Sequence, residues 1–246
     1  MMQFFSQSDR GSVRENNEDS CFAGRVGRYT VLMVADGMGG ASGGEVASAA
    51  AVKTVREFIE QKIKRSSSPG QILEIMRGAV HRANLDIMTV AAGDRKLDGM
   101  GTTVDVCVID GSTAYIAHVG DSRVYRIAKS GKAVRITRDH SLVEYMLETG
   151  VITPEEAETH PQRHVITRAL GTELNVEVDT YITPFEKNET LLLCSDGLTN
   201  MVSEEKIAEI TASAENAEQA AKSLINAANA AGGTDNITGV LSRKEF

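Results

Sequence analysis

Tyr29-Thr30-Val31-Leu32-Met33-Val34-Ala35-Asp36-Gly37-Met38-Gly39-Gly40 is the stretch that decides the fold. Its first seven residues are a short, β-branched apolar run without polar alternation, the pattern of a strand covered on both faces. A carboxylate, Asp36, follows at once, and glycines follow it. A strand buried on both faces needs a layer on each side. Downstream, residues 44–64 place Val46, Ala49, Ala50, Val55, Phe58, Ile59 and Ile63 at spacings of three and four, one apolar stripe on a helix. Residues 69–92 repeat the pattern with Ile72, Ile75, Met76, Ala79, Val80, Ala83 and Ile87, and Pro69 suits the first helical turn. Arg65-Ser66-Ser67-Ser68-Pro69-Gly70 between them reads as a helix–helix connection.

Further strands are read at 102–109 and 113–119, joined across Asp110-Gly111-Ser112, and at 122–128 and 132–136, joined across Lys129-Ser130-Gly131. Residues 176–182, 190–194 and 237–242 complete the strands, and helices return at 203–210 and 217–231. Clustered hairpins between helix pairs predict an α+β fold, antiparallel strands in the centre and helices on the outer faces. The composition shows no shift and no repeat, so residues 1–246 are expected to form a single domain. The segment 140–171 breaks the rhythm with two short helical stretches and a polar loop around His160-Pro161-Gln162-Arg163-His164, either a functional lid or a surface insertion.

The 246 residues are 41% hydrophobic and 24% charged, with 22 Gly and only 4 Pro, which excludes a disordered, collagen-like or coiled-coil chain. A net charge of −8 argues against nucleic acid or anionic lipid as a partner. No apolar run approaches the ~20 residues of a membrane helix, and MMQFFSQSDR carries no signal-peptide pattern, so a cytoplasmic location is expected. Cys21, Cys107 and Cys194 are far apart and odd in number, and read as reduced thiols rather than a zinc or disulfide set. Cys194 has a nucleophile reading beside Ser195 and Asp196, but the preceding Leu191-Leu192-Leu193 favours a buried strand thiol.

Four aspartates sit where apolar strands meet glycines: Asp36, Asp121 after Gly120, Asp196 before Gly197, and Asp235 in Gly232-Gly233-Thr234-Asp235-Asn236. Any one alone could be a turn former. Four at strand ends would repel each other if they converged, and a hard divalent cation with oxygen ligands, Mg²⁺ or Mn²⁺, resolves that conflict. Arg14-Glu15-Asn16-Asn17-Glu18-Asp19 is either a solvated polar turn or a phosphate-binding arginine followed by acids that hold water on a metal.

In order along the chain stand Asp9-Arg10-Gly11, Arg14 with Glu18-Asp19, Val34 to Gly40, Gly101-Thr102-Thr103, and His118-Val119-Gly120-Asp121-Ser122-Arg123. Thr137-Arg138-Asp139-His140-Ser141, Ser195-Asp196-Gly197-Leu198 and Gly233-Thr234-Asp235-Asn236-Ile237-Thr238 continue the series. This ordered set resembles the PPM, or type 2C, metal-dependent serine/threonine protein phosphatases, and its Asp36-Gly37-Met38-Gly39-Gly40 form resembles their bacterial branch. The resemblance implies a sandwich of two antiparallel sheets flanked by helix pairs, with the catalytic site at one end and a flap at about 140–171. It implies a phosphatase acting on phosphoserine and phosphothreonine by direct attack of a metal-bridging water or hydroxide, without a phosphoenzyme. By the same resemblance Asp36 bridges two Mn²⁺ or Mg²⁺ ions with the Gly37 carbonyl on the first, Asp196 and Asp235 hold the second, and Asp121 with Asp196 holds a weaker third. Glu18 and Asp19 hold metal-bound waters, and Arg14 binds the substrate phosphate.

Many relatives carry His where this chain has Met38, which cannot donate a proton; the leaving-group acid is left to metal-bound water or to a flap residue. The implied partners are phosphorylated proteins, among them a serine/threonine kinase and its substrates, and the implied state is a monomer. Two rivals are a phosphoprotein-binding module without catalysis, opposed by the presence of every carboxylate and Arg14, and a hydrolase of small phosphate esters.

Overall fold

The computed structural model describes residues 2–39 and 43–245. Gly40, at the end of the Asp36–Gly40 motif, lies outside them. Eleven strands are found among these residues: β1 (Met2–Asp9), β2 (Asp19–Val26), β3 (Tyr29–Met38), β4 (Gly101–Thr102), β5 (Val104–Asp110), β6 (Thr113–Val119), β7 (Arg123–Ala128), β8 (Ala133–Arg135), β9 (Asp179–Pro184), β10 (Glu189–Cys194) and β11 (Ile237–Lys244). The helices are α1 (Gly43–Lys62), α2 (Pro69–Gly93), α3 (Leu142–Glu148), α4 (Pro154–Thr159), α5 (Asp196–Thr199), α6 (Glu204–Ser213) and α7 (Ala217–Ala230). None of the described helices is long and apolar enough to cross a membrane.

One sheet runs β1-β11-β10-β7-β8 and the other β2-β3-β5-β6-β9, with β4 added against the end of β3. Every pairing is antiparallel. The period-2 alternation of the buried strands divides their side chains between layers. Leu32 and Val34 of β3 meet Leu191 and Leu193 of β10 between the sheets. Val31, Met33 and Ala35 turn the other way, into a cluster with Ala51, Val55 and Ile59 of α1 and Met76, Val80 and Ala83 of α2. Leu192 and Cys194 face α6 and α7 through Ile207, Leu224 and Ile225. The result is an α/β/β/α stack, in which the strand at 29–35 is covered on both faces as its sequence predicts and the two sheets are flanked by helices as the family resemblance implies. Each fully buried Leu, Ile or Val stabilises it by roughly 1.5–3 kcal/mol.

The helix–helix connection is borne out: Ser68 and Gln71 form a reciprocal capping box, with Pro69 in the first turn. Three expectations shift. The strand read at 102–109 breaks at Thr103, whose side chain is needed elsewhere. The strand read at 176–182 lies at Asp179–Pro184, because Val176 packs in the helix-side cluster and not in a ladder. β1 and β2 escape the reading: MQFFSQSD is half-buried along its whole length and so lacks a clean apolar face.

Antiparallel order brings the C-terminal ends of β1, β3, β6 and β10 and the N-terminal ends of β2, β7, β9 and β11 to one end of the stack. From this end the segment 140–171 departs after β8. It contains α3 and α4 and returns through the isolated bridges Ser141–Ile166 and Thr102–Leu170.

Candidate metal centre

Asp36 sits where β3 leaves the core, and its backbone is clamped. Its N–H donates to Thr103 Oγ1 at 2.9 Å, and its carbonyl accepts from Thr103 N and Thr102 Oγ1, each at 2.9 Å. Thr103 Oγ1 also lies 2.9 Å from Ser122 Oγ, which brings the β6–β7 corner carrying Asp121 against the same point. Gly37 follows because nothing larger fits: a methyl there would overlap the carbonyls of Gly44, in the first turn of α1, and of Glu18.

Across the sheets, Asp196 opens α5 directly after β10. Gly197 beside it has room for no side chain, since a methyl would overlap the Asn236 carbonyl. Asn236 ties the N-terminal loop in place. Its Nδ2 donates to the carbonyls of Arg10 at 3.0 Å and Asn16 at 2.9 Å, and its Oδ1 accepts from Glu18 N at 2.8 Å. Asp235 and Glu18 are thereby fixed next to each other.

The electrostatics show convergence. Burial raises the Asp36 carboxyl well above the usual range, and the charges of Asp19, Asp196, Asp121 and Asp235 raise it further. Burial lifts Asp121 to about 8, helped by Asp196 and Asp139. Asp196 is raised by burial and by Asp235, with a hydrogen bond shared with Asp36 acting the other way. Glu18 is raised by burial against the lowering charge of Arg14. Asp19, 8% exposed, is lifted to about 7 by burial. Ser195 Oγ and Thr238 Oγ1 both donate to its Oδ2, at 2.7 and 2.6 Å.

The donor set fits a hard divalent cation. It is all oxygen, and its carboxyls require either protons or a cation to coexist. Asp19 Oδ1 is buried with no hydrogen-bond partner among the described residues. Among those residues, no three acidic, His or Cys side chains are already closed into one ligand set. Two are otherwise engaged: Arg14 Nη2 pairs with Asp235 Oδ2 at 2.7 Å, and Asn200 Nδ2 donates to Asp196 Oδ2 at 3.0 Å.

The structure therefore groups Asp36, Asp121, Asp196, Asp235, Glu18 and Asp19. It sets Arg14 at the rim, half exposed and held by Asp235. Cys107 and Cys194 are buried and Cys21 is half-buried, all as free thiols. Burial drives the Cys194 thiol far up, and its Sγ lies on the Arg123 carbonyl. Asp121, Asp196 and Asp235 line an open groove of about 740 Å³ together with Val143, Leu147, Arg163 and His164 of the 140–171 segment. Thr103, Ser195, Thr238 and Asn236 are the residues that the sequence reading quotes but gives no role. The signal for them is a hydroxyl or amide side chain at or beside each acidic motif.

Residues 9–234 match the family described as Protein phosphatase 2C. The serine/threonine phosphatase stp of Listeria monocytogenes is 39% identical over 242 residues, covering 98% of this chain and 95% of that protein. The crystal structure of the Mycobacterium tuberculosis serine/threonine phosphatase PstP/Ppp aligns with a TM-score of 0.89 at 36% identity, over 100% of this chain and 99% of that one. The catalytic domain of serine threonine protein phosphatase PstP, solved in complex with two manganese ions, aligns with a TM-score of 0.86 at 35% identity, again over 100% and 99%. With its two antiparallel sheets, its helix pairs and its acidic end, the chain belongs to the protein phosphatase 2C family of metal-dependent serine/threonine phosphatases, on the bacterial branch.

Proposed function

We propose that residues 1–246 act as one catalytic domain that hydrolyses phosphoserine and phosphothreonine in proteins. Mn²⁺ or Mg²⁺ is held by Asp36, the Gly37 carbonyl, Asp196 and Asp235, and a weaker ion by Asp121 with Asp196. The observation that carries this reading is the convergence of buried carboxylates, with Asp36 raised by the charges of Asp19, Asp196, Asp121 and Asp235 at once. When bound, the ions supply Lewis acidity to a water and neutralise phosphoryl charge.

The chain's own residues do the rest. Arg14, at the rim, is the phosphate-binding guanidinium. Glu18 and Asp19 supply acceptor oxygens behind the acidic cluster. Neither neighbouring nucleophile is free to form a phosphoenzyme. Ser195 Oγ donates to Asp19 and accepts from Thr238 N at 3.0 Å, and the Cys194 thiol is buried and protonated. Water is therefore the attacking group. The segment at about 140–171 is the flap, lining the groove with Arg163 and His164. The partners are proteins phosphorylated on serine or threonine, a serine/threonine kinase and its substrates among them; the location is the cytoplasm and the state a monomer.

The test is hydrolysis of a phosphothreonine peptide after chelation and again after adding Mn²⁺ or Mg²⁺, beside Asp36→Ala. Turnover restored in the wild type alone is expected. Turnover by a folded Asp36→Ala protein would overturn the reading.

A further inference from the structure

The two ends of the flap meet on a single side chain. His140, the residue at which the flap departs, takes both backbone groups of Gly120. Its N–H donates to the Gly120 carbonyl at 2.7 Å, and its Nδ1 accepts from Gly120 N at 3.0 Å. Because Gly120 N–H can only donate, Nδ1 accepts and carries no proton. Nε2 lies 3.2 Å from Asp179 Oδ2, at the start of β9, and 3.1 Å from Arg168 Nη1, on the flap's return. On the flap's return, Thr167 N donates to the His140 carbonyl at 2.7 Å, and Arg168 Nη1 donates to Asp179 Oδ1 at 3.1 Å.

A second histidine completes a reciprocal arrangement. His118 Nε2 donates to the Arg138 carbonyl at 2.8 Å, and its Nδ1 lies 2.7 Å from Asp105 Oδ1. So 118–120 and 138–140 each lend an imidazole to the other's backbone, and the two rings stand 4.6 Å apart. His118 and Asp105 are fully buried and His140 is 8% exposed. Gly120 adopts φ +118°, with Thr103 against its Cα, and Thr103 is the residue that clamps Asp36.

We propose that His140 is a positioning residue: through its bare Nδ1 it sets the Gly120–Asp121 turn, and through Nε2 and its backbone it closes the base of the flap. One side chain thus couples flap closure to the cation affinity of Asp121. Asp121 does not touch His140, so the effect passes through the Gly120 peptide. This inference rests on the reading that Asp121 holds a cation.

Two isosteric variants separate the parts. In His140→Asn the amide oxygen falls where Nδ1 stands and keeps the bond from Gly120 N, while the link to Asp179 is lost. His140→Gln reaches toward Asp179 and leaves Gly120 N unpaired. Mn²⁺ binding is measured by titration calorimetry, and amide exchange across 141–167 is followed in the chelated protein. His140→Gln should weaken the weakest Mn²⁺ step several-fold, up to about tenfold, the equivalent of one hydrogen bond. His140→Asn should keep that step within about twofold of wild type and still speed exchange in the flap. Wild-type Mn²⁺ binding by His140→Gln would overturn the proposal, as would equal weakening by both variants. Asp121→Ala is titrated alongside. If it loses no Mn²⁺ step, the Asp121 reading falls and the proposal with it. If it loses one while His140→Gln does not, the proposal alone falls. Should His140→Gln not fold, His140→Ala, which likewise leaves Gly120 N without its side-chain acceptor, takes its place: a Mn²⁺ step weakened there and kept in His140→Asn supports the proposal, and an unchanged one overturns it.

Discussion

Asp19 and Asp36 are register partners across the antiparallel β2–β3 pair, two acids directly opposite each other at the acidic end of the sandwich. Like charges so placed destabilise a ladder, and burial removes the water that would screen them. The structure meets the conflict at Asp19 with two hydroxyl donors, and at Asp36 with an upward pKa shift.

That shift has a definite sign in stability. Asp19 titrates at about 7 and Asp121 at about 8 when folded, against roughly 4 in an unfolded chain. Between those values the native state holds protons that the unfolded chain has lost, so stability falls as pH rises through the window. A cation that replaces the protons removes the loss. The chelated protein should melt at a lower temperature near pH 8 than near pH 5.5, and the gain on adding Mn²⁺ should grow over the same range. Calorimetry in two buffers of different ionisation enthalpy should show net proton release on Mn²⁺ binding. A chelated melting temperature that rises with pH, with no proton released, would contradict the assignment.

Ser195 is expected to behave as a support and not as a nucleophile. Ser195→Ala removes one of the two donors to Asp19 Oδ2 and the acceptor for Thr238 N. Leaving buried groups unpaired costs about 1–3 kcal/mol, so the melting temperature should drop. kcat should fall far less than in Asp36→Ala. Loss of turnover as complete as in Asp36→Ala, in a folded protein, would make Ser195 part of the chemistry.

The close approach of β3 to α1 sets a steric limit at Gly37. A methyl there meets the Gly44 and Glu18 carbonyls, and Gly37 N donates to that same Glu18 carbonyl at 3.1 Å. Overpacking of this kind costs roughly 1–3 kcal/mol or more, and it displaces a proposed cation ligand as well. Gly37→Ala should lower both the melting temperature and the Mn²⁺ affinity. Gly70→Ala, where a methyl would meet nothing within 4 Å, is the control and should be neutral or slightly stabilising.

How much of this was legible in the sequence follows from where the signal resides. The run 29–35 carries its fold in its composition, and Asp36, Asp121, Asp196 and Asp235 are visible because each stands where an apolar run meets a glycine-containing turn. β1 and β2 were not legible, because Phe4–Ser8 mixes polar and apolar residues on both faces and Ser20–Gly24 is a half-buried run of small residues around one Phe. The supports were invisible for a different reason. Thr103 to Asp36, and Ser195 and Thr238 to Asp19, are contacts between residues 67 to 219 positions apart, and no local pattern encodes them. The break at Thr103 in a strand that looks continuous is the trace such a contact leaves.

Arg14 offers the sharpest separation of roles. The sequence reading gives it the substrate phosphate, yet its Nη2 lies 2.7 Å from Asp235, a proposed cation ligand. The two statements fit together if Arg14 leaves Asp235 for the phosphate when a cation takes the carboxylate. Both partners are substantially solvent-exposed, 52% and 33%, so the ion pair itself holds Arg14 weakly. Arg14→Ala should then raise KM for a phosphopeptide with a smaller change in kcat, because a guanidinium that binds ground state and transition state alike acts on KM. The same substitution should leave Mn²⁺ affinity unchanged or slightly tighter, since a competitor for Asp235 is gone. A phosphate-free titration isolates that second effect. Weaker Mn²⁺ binding by Arg14→Ala would mean that the guanidinium orders Asp235 for the cation, and the KM effect would then have to be read as a loss of metal.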